Sequence, residues 1–218
     1  MPLGFIQTIG IAAYFLAPFV LLRLRRRWGV PATILSLWLP LEFRLLPAVA
    51  VLVGIVAAIL AFDPRRDRIS IWQQFAPAEF SLKGSLSNLG MFAVIGIPLG
   101  LAIGFIEPGL DTSVLRQVPM LFATTVLYAL AEEILFRGIV QYWLENRLKS
   151  RIAALFVASV VFGAAHLNNG PALPNYKYFA MASIAGVFYG RAWCAKRNVL
   201  TSTLTHSIVN LSWRLFFR

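Results

Sequence analysis

Apolar stretches long enough to cross a bilayer recur along this chain, and they decide what it can fold into. They fall at about 4–22, 46–62, 89–106, 119–145, 152–168, 176–193 and 199–216. A hydrocarbon core needs roughly 20 apolar residues per helical crossing. The chain is 59% hydrophobic and 13% charged, against about 45–50% and about 25% in soluble domains. The expectation is an all-α, polytopic transmembrane helix bundle of about seven to eight helices. A shorter apolar piece, 30–43, is interrupted by Pro40, Glu42 and Arg44 just beyond it. Between 69 and 88 the chain turns polar and amphipathic (Trp72, Gln73, Gln74, Phe80, Lys83), which reads as an interfacial segment or linker. Two regions follow: 1–84, N-terminal membrane helices with the interfacial segment, and 85–218, a helical core.

The formal net charge is +11, yet its placement argues against a nucleic-acid partner. The basic residues form short clusters between apolar runs: Arg23 to Arg27; Arg65, Arg66 and Arg68; Arg147, Lys149 and Arg151; Arg191, Lys196 and Arg197. The positive-inside rule puts such clusters in the cytoplasm, with 107–116 and 168–175 on the other side. It also requires an even number of crossings between Arg27 and Arg65. Arg23 to Arg27, directly after the first apolar run, read as a stop-transfer anchor rather than a cleavage site. The single cysteine, Cys194, excludes an internal disulfide.

Chemistry is expected where charge sits at bilayer depth. Glu132 and Glu133 interrupt the 119–145 run, and an ionised group there costs at least about 2.5–3.5 kcal/mol on insertion scales. Four residues on is Arg137, one helical turn from Glu133 on the same face. Glu133 and Arg137 can form a structural ion pair, leaving Glu132 free as a general base. On the next span, Phe162-Gly-Ala-Ala-His166 carries one of the two histidines. Glu132 precedes Lys149 by as many residues as His166 follows it, so an antiparallel hairpin puts both at similar depth. The last span carries His206-Ser-Ile-Val-Asn210, with His206 and Asn210 on one face and suited to an oxyanion. The bland alternatives are a satisfied core histidine and polar glue between helices. Ala185-Gly186-x-x-x-Gly190 suits close helix packing and is given no chemistry. Glu, His, His and Asn also resemble a zinc set, although the His-Glu-x-x-His pattern is absent. Both a zinc site and a metal-free site can be written.

In order and on separate helices, these motifs resemble those of the CPBP family of intramembrane endopeptidases (CAAX protease and bacteriocin-processing, also called Abi). That family shows Glu-Glu-x-x-x-Arg, Phe-x-x-x-His and His-x-x-x-Asn. Here they are Glu132, Glu133 and Arg137; Phe162 and His166; His206 and Asn210. The resemblance covers about residues 85–218. It implies a glutamic-type membrane protease without a cofactor, although the family was first thought metal-dependent. It further implies that Glu132 and His166 activate a water, that His206 and Asn210 hold the oxyanion, and that Glu133, Arg137 and Phe162 shape the site. The implied partner is a membrane-associated protein or peptide, cut in CAAX-type, C-terminal or leader processing in a bacterial or archaeal cytoplasmic membrane. Water must reach this depth, so a polar cavity opening to the cytoplasmic side is expected. Two other functions use the same residues: a proton-coupled transporter, which would call for an inverted repeat not detected here, and a catalytically silent immunity or scaffold protein.

Overall fold

A computed structural model describes residues 71–167, 169–170 and 174–217. The spans expected at 4–22, 30–43 and 46–62 lie outside the described residues. What is described is all-helical. Five helical rods follow one another: α1 (Leu82–Ala102), α2, α3 (Arg151–Ala164), α4 (Tyr176–Cys194) and α5 (Val199–Phe216). The α2 rod runs without a break through an α-helix, Val118–Glu133, a π-helical stretch, Ile134–Gln141, and a second α-helix, Tyr142–Leu148. By length and composition, Leu82–Ala102 and Val114–Leu148 can cross a membrane.

Polar N-caps start four of the rods. Ser81, Ser150, Asn175 and Asn198 each accept a hydrogen bond from the backbone N–H three residues on, which satisfies one of the unpaired donors at a helix start. Between α2 and α3, Lys149 takes a left-handed conformation (φ 54°), which lets the chain reverse within two residues.

The bundle is apolar outside as well as inside, where Leu135, Phe136, Phe162 and Trp193 are buried. Val94, Met120, Leu127, Ile152 and Phe156 are exposed on α1, α2 and α3, whereas α5, rich in Thr and Ser, is buried. Thr203, Thr205 and Ser207 donate to the carbonyls of Val199, Thr201 and Thr203. Such back-bonding lets hydroxyls lie inside without an unsatisfied donor. The stripe Ala185-Gly186-x-x-x-Gly190 packs as expected: a Cβ on Gly186 would sit 3.2 Å from the Ser159 Cα of α3, and one on Gly190 would strike Leu155 and Gln141.

In the segment expected to be interfacial or a linker, two short 3₁₀ turns, Ile71–Phe75 and Pro77–Glu79, precede α1, which begins at Leu82; Pro77–Glu79 is exposed throughout. Gln74 is buried; its amide donates to the Gly138 carbonyl (3.2 Å) and its oxygen accepts from the Trp193 indole (2.9 Å). Gln74 thus serves the π-helical stretch, which π geometry widens.

Candidate active site

Glu133 closes the regular part of α2, and Arg137 lies in the π-helical stretch that follows. Both side chains are 0% exposed, and Arg137 Nε donates to Glu133 Oε2 at 3.1 Å. This is the ion pair expected from the spacing. The Arg137 guanidinium also lies over the Phe162 ring, 5.0 Å from its centre. The π-helical stretch is buried at every position, and such insertions are frequent at functional sites.

Glu133 has a second partner that the spacing did not reveal. Its Oε1 lies 2.9 Å from His206 Nδ1. A carboxylate only accepts, so Nδ1 carries a proton and Nε2 is turned to the other side. There it lies 3.8 Å from Glu132 Oε2. That is too long for a direct hydrogen bond, but one water about 2.8 Å from each group would bridge them. Glu132 is 28% exposed at its side chain, so the two adjacent acids do point to different places: Glu133 inward and Glu132 into a cavity.

His166 lies beyond the helix rather than within the span. α3 ends at Ala164, and His166 sits in the following turn, its N–H bonded to the Gly163 carbonyl (2.8 Å). Its Nδ1 donates to the Phe162 carbonyl at 2.8 Å. That acceptor defines the neutral tautomer, with the proton on Nδ1 and a lone pair on Nε2. No hydrogen bond or ion pair joins Glu132 to His166; they line one cavity of about 500 Å³, together with His206 and Asn210. The four predicted residues therefore converge.

Aromatic rings hold the imidazoles. Phe162 is 4.6 Å from His166 and 5.7 Å from His206, centre to centre. Tyr178 stacks on His166 (5.3 Å) and Tyr189 on His206 (4.3 Å, 15° between planes). Tyr178 and Tyr189 escaped the sequence reading. Their one signal was position: Tyr189 sits between the two glycines of the packing stripe, where α4 approaches α3 most closely.

The cavity lies toward the end of the bundle away from the basic connections at Arg147–Arg151 and Arg191–Arg197. Its lining runs from Glu132 and His206 at mid-bundle to Phe105, Thr124, Asn169, Trp213 and Arg214. These lie toward the end of the bundle where Gly109 and Asp111 donate to the carbonyls of Phe216 and Leu215 and Lys177 donates to that of Gly104. The basic connections lie at the other end, where Arg197 pairs with Glu145 (2.6 Å) and Lys196 with Glu79 (3.8 Å). The antiparallel order of the rods accounts for this: His166 follows the end of α3 and Asn210 lies past the middle of α5, so both are far from the basic turns.

Zinc can be tested on the donors. Among the described residues, no three His, Cys, Asp or Glu side chains converge in an arrangement that could hold a metal. Both imidazole Nδ1 atoms are committed to protein acceptors, an arrangement that metal-bound and metal-free imidazoles share.

A family model described as Rce1-like, type II CAAX prenyl endopeptidase Rce1-like, matches residues 114–212. This stretch of the chain is similar to that family. The family is the one to which the ordered motifs point, and the matched stretch holds all seven motif residues, from Glu132 to Asn210. No curated protein and no solved structure matches the chain.

Proposed function

We propose that the chain is an intramembrane endopeptidase that hydrolyses a peptide bond of a membrane-associated protein by a glutamate-activated water. The observation that carries this reading is the polar cavity shared by Glu132, His166, His206 and Asn210 inside the Rce1-like stretch. Glu132 takes a proton from the water, which His166 Nε2 helps to orient. The water oxygen attacks the carbonyl carbon. The oxyanion is met by the Asn210 amide and by His206, which donates from Nε2 when doubly protonated. In that form Glu132, Glu133, Arg137 and His206 carry no net charge together, which suits a buried site. Glu132 then hands its proton to the leaving amine as the C–N bond breaks.

The CAAX endopeptidases named by the family model act on prenylated proteins. An apolar pocket of about 250 Å³ shares Phe92, Met181, Val209 and Trp213 with the polar cavity, and it suits an apolar portion of a substrate. With the basic loops cytoplasmic, the cavity mouth faces away from the cytoplasm, and substrates would be reached from that side.

The test uses the purified full chain in nanodiscs with a pool of membrane-anchored peptides, followed by mass spectrometry. Cleavage that survives a strong chelator and disappears in Glu132→Ala is the expected result. Cleavage abolished by the chelator and restored by zinc would replace the glutamate scheme with a metal one.

A further inference from the structure

The wall that α4 gives to the cavity holds a hydroxyl that the hydrolytic scheme leaves unused. Tyr178, Ala182, Ala185 and Tyr189 line the cavity from that helix, at steps of four, three and four residues that keep them on one face. Tyr178 begins the stripe, half-buried beside Phe105 and Trp213. The two alanines leave room for a substrate. Tyr189 ends the stripe at 2% exposure. Its ring lies flat on His206 (4.3 Å between centres, 15° between planes) and edge-on to Phe162 (6.0 Å, 81°). Close packing of α4 on α3 at Gly186 and Gly190 holds this part of the helix in place.

Ring contacts account for the place of Tyr189 but not for its hydroxyl. A buried tyrosine hydroxyl usually finds a hydrogen-bond partner, and none among the described residues engages this one. The buried side-chain atoms there that lack a partner belong to Asn88, Glu132, Arg137 and Gln141. The Tyr189 hydroxyl is not sealed off in that way, so it opens on the cavity that the residue lines. Because its ring is stacked on His206, a group held at His206 Nε2 lies close to it. We propose that Tyr189 is a further catalytic residue, whose hydroxyl donates to the oxyanion together with His206 and Asn210. This rests on the hydrolase reading above and adds a third donor to its oxyanion site. The phenol keeps its proton throughout and brings no charge to a buried centre. Its hydrogen bond strengthens as negative charge grows on the carbonyl oxygen, so it acts on the transition state more than on the bound substrate.

The test is Tyr189→Phe, which keeps the ring and its stack on His206 and removes one oxygen. The full chain in nanodiscs is given the peptide that wild type cuts fastest from the pool of membrane-anchored peptides. The same peptide is also made with a phosphinate in place of the scissile amide, an uncleavable mimic of the tetrahedral oxyanion. The expected result is a fall in kcat of about 10²-fold with KM unchanged, and phosphinate inhibition weakened by at least about tenfold. An unchanged melting temperature checks that the variant is folded. Wild-type kcat in Tyr189→Phe would overturn the proposal and leave the hydrolase intact, with the tyrosine serving only as a ring. A fall in kcat with phosphinate affinity unchanged would also overturn it, because the hydroxyl would then serve the attacking water. Failure of the wild-type chain to cut any peptide of the pool would overturn the hydrolase reading, and this donor with it.

Discussion

Neutralising the buried pair in two steps separates what Glu133 does for the fold from what it does for His206. In Glu133→Gln the Arg137 cation is left without its counter-ion at a site with no solvent exposure. Removing one partner of such a pair costs about 3–5 kcal/mol, which for a domain of this size lowers Tm by roughly 6–20 °C. The double variant Glu133→Gln/Arg137→Met removes both charges. Replacing a whole buried ion pair with matched neutral groups is often neutral or stabilising, and a methionine sulfur can rest on the Phe162 ring where the guanidinium lay. Stability should therefore return to within about 1–2 kcal/mol of wild type. Activity should not return. Gln offers no carboxylate to His206 Nδ1, now bonded at 2.9 Å, and loss of an orienting partner of this kind costs about 10–100-fold. The assay is a thermal melt in detergent paired with peptide turnover for wild type, both single variants and the double. Full activity in the double variant would refute the claim that Glu133 acts through His206. A double variant no more stable than Glu133→Gln would refute the claim that the pair is a closed electrostatic unit.

Other outcomes follow from the same geometry. His166→Ala should lower kcat by about 10²–10⁴ with little change in Tm, because His166 is half-buried in a turn; unchanged turnover would remove it from the chemistry. Gly163→Ala should destabilise by about 1–3 kcal/mol, because the added Cβ would strike Ser183 Oγ and lie 2.6 Å from the Phe179 carbonyl; a thermal melt reads this, and removing the Ser183 hydroxyl should recover only part of the loss. Lys149→Gly should stabilise by about 1 kcal/mol, since glycine takes the left-handed conformation (φ 54°) without strain. Orientation is read by labelling in a Cys194→Ser background, at two exposed positions on opposite ends of the bundle. An impermeant maleimide should reach Tyr176→Cys in intact cells and Arg147→Cys only after permeabilisation; the reverse pattern would turn the cavity mouth to the cytoplasm.

Local spacing determined much of this protein before any coordinates. Helical apolar runs are set by a one-dimensional requirement, the thickness of a bilayer, and α2, α4 and α5 lie close to where those runs lie. The Glu133–Arg137 pair follows from four-residue spacing, and the similar depth of Glu132 and His166 was legible because an antiparallel hairpin equalises distance from the turn. Contacts between rods were not legible. Nothing in Glu132-Glu133 says that the second acid holds His206, a residue 73 positions away, because that choice depends on the rotation of α2 against α5. The π-helical stretch, the ring pairs formed by Tyr178 and Tyr189, and the burial of Gln74 arise the same way, from side chains filling space between helices whose relative angles no linear pattern encodes. The direction of the cavity belongs with them: charge counts orient the loops, but only the packed bundle decides at which end the polar groups leave room for water.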